Sequence, residues 1–135
     1  MTLRLFSLVA LGLALAACAD SGLSGGSRKF SGVWLYEFEG STFVEGATEI
    51  PSVRPAYDAT DWLDWAEWPQ LESLMEERVS SGECYTVQPF LVTFEGRRTH
   101  HPTRGAGHMG LWRSQVTVQR PIAARRVGPS FCYDS

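Results

Sequence analysis

Strand-like segments on both sides of one helical segment predict a small, mainly β domain of the α+β class. Alternating apolar residues indicate the strands, an apolar stripe indicates the helix, and residues 30–135 suffice for a single core. An OB-like barrel has this order, because its one helix lies between the third and fourth strands. We therefore expect a single β-rich domain over residues 30–135, folded as a partly open, OB-like β-barrel with one helix.

The first two predicted strands precede a segment that prolines interrupt. Residues 33–38 alternate in character, and residues 42–47 place Phe43 on a buried face after a bend at Gly40. One side of the first strand carries the aromatic residues Trp34, Tyr36 and Phe38. The prolines that follow favour a loop or an edge position.

One helix is predicted over residues 69–80. Pro69 suits its first turn, and Gly82 suits the position just after its C-terminus. Its apolar stripe consists of Leu71, Leu74, Met75 and Val79. The spacing of this stripe predicts that one face of the helix packs on the sheet.

Three strands are predicted after the helix, over residues 84–95, 111–119 and 122–127. Pro89 predicts a bulge or an edge position near the middle of the first of them. Pro121 separates the other two, and residues 96–110 are predicted to form a loop.

The N-terminus has the features of an exported protein in their usual order. Arg4 precedes the apolar run Leu5–Leu15, and Ala16 and Ala17 provide the small side chains that a signal peptidase accepts. Cys18 follows directly. This order resembles a bacterial lipoprotein signal, which implies a signal peptide over residues 1–17 and lipidation of Cys18. The alternative is a plain secretory signal in which the cysteine is incidental.

Residues 18–29 are predicted to be the lipidated cysteine and a flexible tether, because they are rich in glycine and serine. Ala19 follows the cysteine, and the first acid is Asp20. An aspartate directly after the cysteine often retains lipoproteins at the inner membrane, so the resemblance favours the outer membrane, facing the periplasm. The expected partners are the membrane, through the lipid, and an envelope protein or glycan.

Cys84 and Cys132 remain once Cys18 is lipidated, and an oxidising compartment favours a disulfide between them. A metal site that uses these cysteines and histidines is the alternative. No C-x-x-C or H-x-x-x-H spacing supports that alternative.

Charge is segregated along the chain. Residues 37–83 contain twelve acids and two arginines, whereas residues 97–126 contain seven arginines and no acid. The arginines form either a basic face for a polyanion or ordinary pairs with acids on neighbouring strands, including Glu37, Glu39 and Glu45. The second interpretation is preferred. An acidic protein held outside the cytoplasm is not expected to bind nucleic acid.

Histidines and arginines cluster in the predicted loop, at His100, His101, His108, Arg97, Arg98 and Arg104. Three imidazoles within nine residues are a possible zinc or copper set. However, no nearby carboxylate or cysteine completes the set, and adjacent residues in an extended chain point to opposite sides. We therefore expect a structural loop that folds back tightly between its glycines, in which His108 bonds to local backbone, rather than a metal centre.

An acidic, tryptophan-rich segment precedes the helix and contains Trp62, Trp65 and Trp68. The three indoles are either a platform for sugar rings or a protein partner, or core residues that plug the barrel mouth. Packing is the preferred interpretation. Trp68 precedes proline, which disfavours helical geometry, and it is predicted to be the exposed indole.

Two short segments resemble small bacterial lipoproteins of unknown function. The first is the strand and turn from Trp34 to Phe43, and the second runs from Phe94 to Trp112 and contains Gly107-His108-Met109-Gly110. Ala106 departs from the pattern, which usually has an aromatic residue there. The resemblance implies an envelope address and a β architecture, and it implies no activity.

The sequence has no nucleophile-elbow context and no phosphate loop, so we expect neither an enzyme nor a cofactor. Three hypotheses remain. The first is a non-catalytic envelope lipoprotein that binds or scaffolds another component. The second is a small-ligand or metal-binding module that uses the loop from His100 to His108. The third is an enzyme accessory that acts on envelope polymers.

Overall fold

The protein, described by a computed structural model over residues 23–76, 80–81 and 84–134, consists mainly of β-strands. In chain order the elements are β1 (Leu23–Ser24), β2 (Arg28–Glu37), β3 (Gly40–Glu45), β4 (Asp61–Asp64), α1 (Pro69–Glu72), β5 (Ser80–Ser81), β6 (Cys84–Tyr85), β7 (Gln88–His100) and β8 (Ser114–Arg126). Single 3₁₀ turns lie at Tyr57–Ala59 and His108–Gly110. No helix among the described residues is long and apolar enough to cross a membrane.

Five strands close into a barrel. They pair in the order β7, β2, β3, β4 and β8, and β8 pairs back with β7. All neighbours are antiparallel except β4 and β8, which run parallel. The prediction of a small, mainly β barrel is confirmed. The predicted partial opening is wrong, because β7 and β8 are each 13 residues long and pair from Phe90 to His100.

The strands are strongly staggered around the ring. The stagger is seen by following paired residues from strand to strand, starting and ending on β7. The path runs through Pro89, Leu35, Thr42, Trp62, Gln115 and Thr99. One circuit therefore returns to β7 ten residues beyond its start, which requires strands steeply tilted to the barrel axis.

Aromatic side chains fill the barrel. Phe30 stacks on Phe94 with ring centroids 5.5 Å apart, and Phe43 lies 5.4 Å from Phe94. Trp68 is 1% exposed and packs edge-on against Phe94, with centroids 6.2 Å apart. The prediction that Trp68 is the exposed indole is therefore wrong. It stands just before α1 in a non-helical conformation, which directs the ring into the core instead of into solvent.

The helix is shorter than predicted. It ends at Glu72 and is followed by a turn, and the predicted positions Val79 and Gly82 lie outside the described residues. Gln88 provides the physical reason why the helix ends early. Its buried side chain accepts from the Glu76 N–H at 2.8 Å and donates to the Glu76 carbonyl at 3.0 Å. These bonds replace the intrahelical bonds that a longer helix would require.

The last strand crosses Pro121 without a break. Residues 114–126 form one strand, where two strands and an intervening interruption were predicted. Pro121 faces Phe94, and the register with β7 shifts on either side of that pair. These bulges absorb the proline. Pro89 lies at the start of β7 and pairs regularly with Leu35, so it forms no bulge near the middle of the strand.

The chain ends add to the barrel. Leu23 and Ser24 pair with β7 and β2 begins at Arg28, so the sheet includes part of the segment predicted as a tether. The predicted signal peptide and Cys18 lie outside the described residues.

Near the C-terminus, the sulfur atoms of Cys84 and Cys132 lie at disulfide distance, with Cα atoms 6.3 Å apart.

Candidate functional site

A cleft of about 380 Å³ lies at the barrel rim, where β3 and β4 diverge. These strands pair only at Thr42–Trp62 and Phe43–Asp61. Beyond that point the Ser41 hydroxyl bridges them, donating to the Leu63 carbonyl at 2.6 Å. The residues that line this rim cleft are Tyr36, Glu37, Glu39, Gly40, Ser41, Trp62, Leu63, Asp64 and Trp65.

Packing fixes the two indoles of the rim cleft. Trp65 is half-buried and lies edge-on to Trp34 and Tyr36, with ring centroids 5.3 and 6.2 Å away. Trp62 is also half-buried and lies edge-on to Trp112 at 4.9 Å. Both indoles therefore keep part of their surface accessible in a set orientation, which is the requirement for a stacking platform.

The carboxylates of the rim cleft have three different partners. Both oxygens of Glu37 accept hydrogen bonds from the Arg54 guanidinium, which raise the pKa of Arg54. Glu39 Oε2 lies 3.2 Å from His108 Nε2. Asp64 Oδ2 accepts a hydrogen bond from the Gln115 amide at 3.2 Å. Within the described part of the chain, Glu37 is therefore the carboxylate of this cleft that pairs with a guanidinium.

The loop between β7 and β8 contacts two residues that line the rim cleft, Trp62 and Glu39. It folds back on itself through mutual bonds between Ala106 and Trp112, as the glycine pattern predicted. Gly107 has a φ of +69° and packs so closely on Trp62 that a Cβ atom would overlap the indole. His108 then reaches Glu39 instead of local backbone, so that part of the prediction is wrong.

The three histidines do not converge. His100 is exposed on β7, beside a separate cavity of about 350 Å³ that Arg28 and Arg98 also line. His101 begins the loop that carries His108 away to Glu39. Among the described residues, no group of three histidine, cysteine or acidic side chains has metal-binding geometry.

Arg98 anchors an ion-pair network inside the barrel. Its guanidinium donates to both oxygens of the buried Asp61, at 2.9 and 2.8 Å, and also contacts Glu45. The bond to Asp61 raises the pKa of Arg98, and the bond from Arg28 lowers the pKa of Glu45. The Ser114 hydroxyl donates to Asp61 at 2.6 Å, which completes the set of partners.

Pairing also accounts for other arginines of the basic segment. Arg120 pairs with Glu95 at 2.6 Å, and Arg126 lies 3.5 Å from Glu76. Of the three acids expected to receive this segment, Glu45 pairs with Arg98, whereas Glu37 and Glu39 are held by Arg54 and His108. Arg97, Arg113 and Arg125 are exposed, and a role for them or for Arg104 at an anionic surface stays a prediction.

Comparisons with protein-family models, curated proteins and solved structures found no match to this chain. The resemblance to small envelope lipoproteins therefore stays a prediction. What the chain can bind is argued from the geometry of the rim cleft.

Sequence reasoning found part of this site. Trp62, Trp65 and Trp68 were singled out as either a platform or core residues, with packing preferred. Trp62 and Trp65 lie together in the rim cleft, while Trp68 belongs to the core. Tyr36 and Asp64 were not predicted as site residues. Asp64 stands between the two indoles in sequence, and that position was the available signal.

Proposed function

We propose that this chain is a non-catalytic glycan-binding module of the bacterial cell envelope, carried on a lipid at Cys18 on the periplasmic side of the outer membrane. The observation that carries the binding role is the rim cleft. Its volume lies in the range of small-molecule sites, and it combines aromatic surface with carboxylates that accept bonds from hydroxyl groups.

The proposed fold type is OB-like. The barrel strands β2, β3, β4, β7 and β8, taken as first to fifth, pair in the order 1-2-3-5-4 with the third and fifth parallel. The helix α1 lies between the third and fourth strands. Barrels of this type bind oligosaccharides or oligonucleotides on the second and third strands and the loops between strands 1–2 and 4–5. By fold-level analogy, the rim cleft occupies the same position, because Glu39 and His108 belong to those loops.

The lining favours a glycan over a nucleic acid. Glu37, Glu39 and Asp64 place negative charge where phosphates would have to approach. The same oxygens are suitable acceptors for sugar hydroxyl groups, and Trp62 and Trp65 offer apolar surface to a sugar ring.

The binding role is tested with the full chain purified from membranes in a polyoxyethylene detergent, which has no sugar headgroup. Calorimetric titration with envelope glycan fragments is expected to show binding that Trp62→Ala weakens about tenfold. Tyr85→Ala is the matched control, since Tyr85 is an exposed aromatic residue outside the rim cleft. Mass spectrometry of the same preparation is expected to show an acylated Cys18.

The proposal fails if no fragment binds, or if Tyr85→Ala weakens binding as much as Trp62→Ala. New reducing ends after prolonged incubation would show that the chain is an enzyme. An unmodified Cys18 would contradict the lipid anchor and leave the binding role standing.

A further inference from the structure

The charges of the rim cleft have one sign. Of the described residues that line it, three are acids and none is lysine, arginine or histidine. Arg54 neutralises Glu37, but the partner of Asp64 is an uncharged amide. Within the described part of the chain, Glu39 is half-exposed and its ionic contact is with the His108 imidazole, and Asp64 is exposed. The cleft therefore presents two accessible carboxylates that a ligand can meet.

The aromatic side chains of the cleft also favour a positively charged ligand. The π face of an aromatic ring is negative and attracts a cation, and indole is the strongest of the aromatic side chains in this respect. Trp62 and Trp65 flank Asp64 along the chain, and all three line the cleft. A positively charged group placed there meets aromatic side chains and a carboxylate together.

We propose that the ligand carries a protonated primary amine, so that the preferred glycan contains hexosamine units that are not N-acetylated. This inference rests on the proposed glycan-binding function and specifies its substrate class. An ammonium group donates three hydrogen bonds and brings a positive charge to Asp64, whose described partner is the uncharged Gln115 amide, and to the accessible part of Glu39 beside His108. An N-acetylated or neutral sugar brings no positive charge to these carboxylates, and a sugar acid is repelled by them.

Three β-1,4-linked tetrasaccharides of equal length separate the possibilities: those of glucosamine, N-acetylglucosamine and glucose. Calorimetric titration of the full chain in low salt is expected to give at least about tenfold tighter binding for the glucosamine tetramer. Raising sodium chloride from about 20 mM to about 500 mM shortens the screening length and should weaken that binding alone.

The matched variants are Asp64→Asn and Glu49→Gln. The first removes a cleft charge and keeps the side-chain shape, and it should reduce the preference for glucosamine about fivefold. The second makes the equivalent change at an exposed acid that does not line the cleft, and it should have no effect.

The outcomes separate the two proposals. Equal binding of the three tetramers, or a preference that Asp64→Asn leaves intact, overturns the amine inference and leaves glycan binding standing. If none of these tetramers and no envelope fragment binds, the proposed function itself fails. Asp64-dependent binding of polylysine without any glycan binding would show a protein partner and would overturn both.

Discussion

Asp61 is the acid whose surroundings matter most for stability. It is 4% exposed, and its oxygens accept bonds from Arg98 and Ser114. Removing a carboxylate from water is costly, and only such partners offset that cost. This pair was not predictable from the sequence, because Asp61 and Arg98 are far apart in the chain and meet only when β7 and β8 close the ring.

Asp61→Ala is expected to lower the free energy of unfolding by about 3 kcal/mol, because it leaves the part-buried Arg98 guanidinium without its main partner. Urea unfolding of the full chain, monitored by tryptophan fluorescence, measures this loss. Glu95→Ala is the control, since it breaks the exposed pair with Arg120 and should cost clearly less. Equal losses in the free energy of unfolding would show that the Asp61–Arg98 pair contributes no more to stability than the exposed Glu95–Arg120 pair.

Among the individual elements, the loop between β7 and β8 has the tightest geometry. Gly105, Gly107 and Gly110 all have positive φ, which allows the chain to fold back above Trp62. The glycine pattern predicted a tight loop correctly, because glycine adopts such conformations without steric cost. The destination of His108 was not predictable, since its partner Glu39 lies in the turn between β2 and β3.

Gly107→Ala is expected to cost about 2 kcal/mol of stability, because its φ of +69° and ψ of −161° belong to a region that only glycine occupies readily. The added methyl group would also push the loop off Trp62, and the proposed glycan binding should weaken. Unfolding and glycan titration measure the two effects. Gly26→Ala, where a methyl group meets no atom within 4 Å, should be neutral in both. A neutral Gly107→Ala would contradict the described packing.

Over the whole molecule, the C-terminal segment packs on a second apolar cluster outside the barrel. Phe131 exchanges two backbone hydrogen bonds with Val87, at 2.8 and 3.0 Å, and packs near Val33 and Leu35. Strand β2 therefore buries side chains on both faces, which the alternation over residues 33–38 did not reveal. The proximity of Cys84 and Cys132 was predictable from compartment and cysteine count alone.

Replacing both cysteines, Cys84→Ala with Cys132→Ala, is expected to lower the free energy of unfolding by about 4 kcal/mol. The physical reason is that a crosslink across 48 residues restricts the unfolded chain. Urea unfolding with and without reductant checks the value, and the double variant should not respond to reductant. Free thiols in protein taken from the envelope would contradict the disulfide.

Closure of the ring also affects how copies of the protein behave when crowded. The outer strands of an open sheet present unpaired amide groups that can template pairing with another chain, and this is a common route to aggregation. Each of the five barrel strands here has a neighbour on both sides. The lipid proposed at Cys18 would concentrate the protein in two dimensions. Under that condition the closed ring offers fewer unpaired strand edges than an open sheet would, since the described strands that lie outside the ring, β1, β5 and β6, are two residues long each.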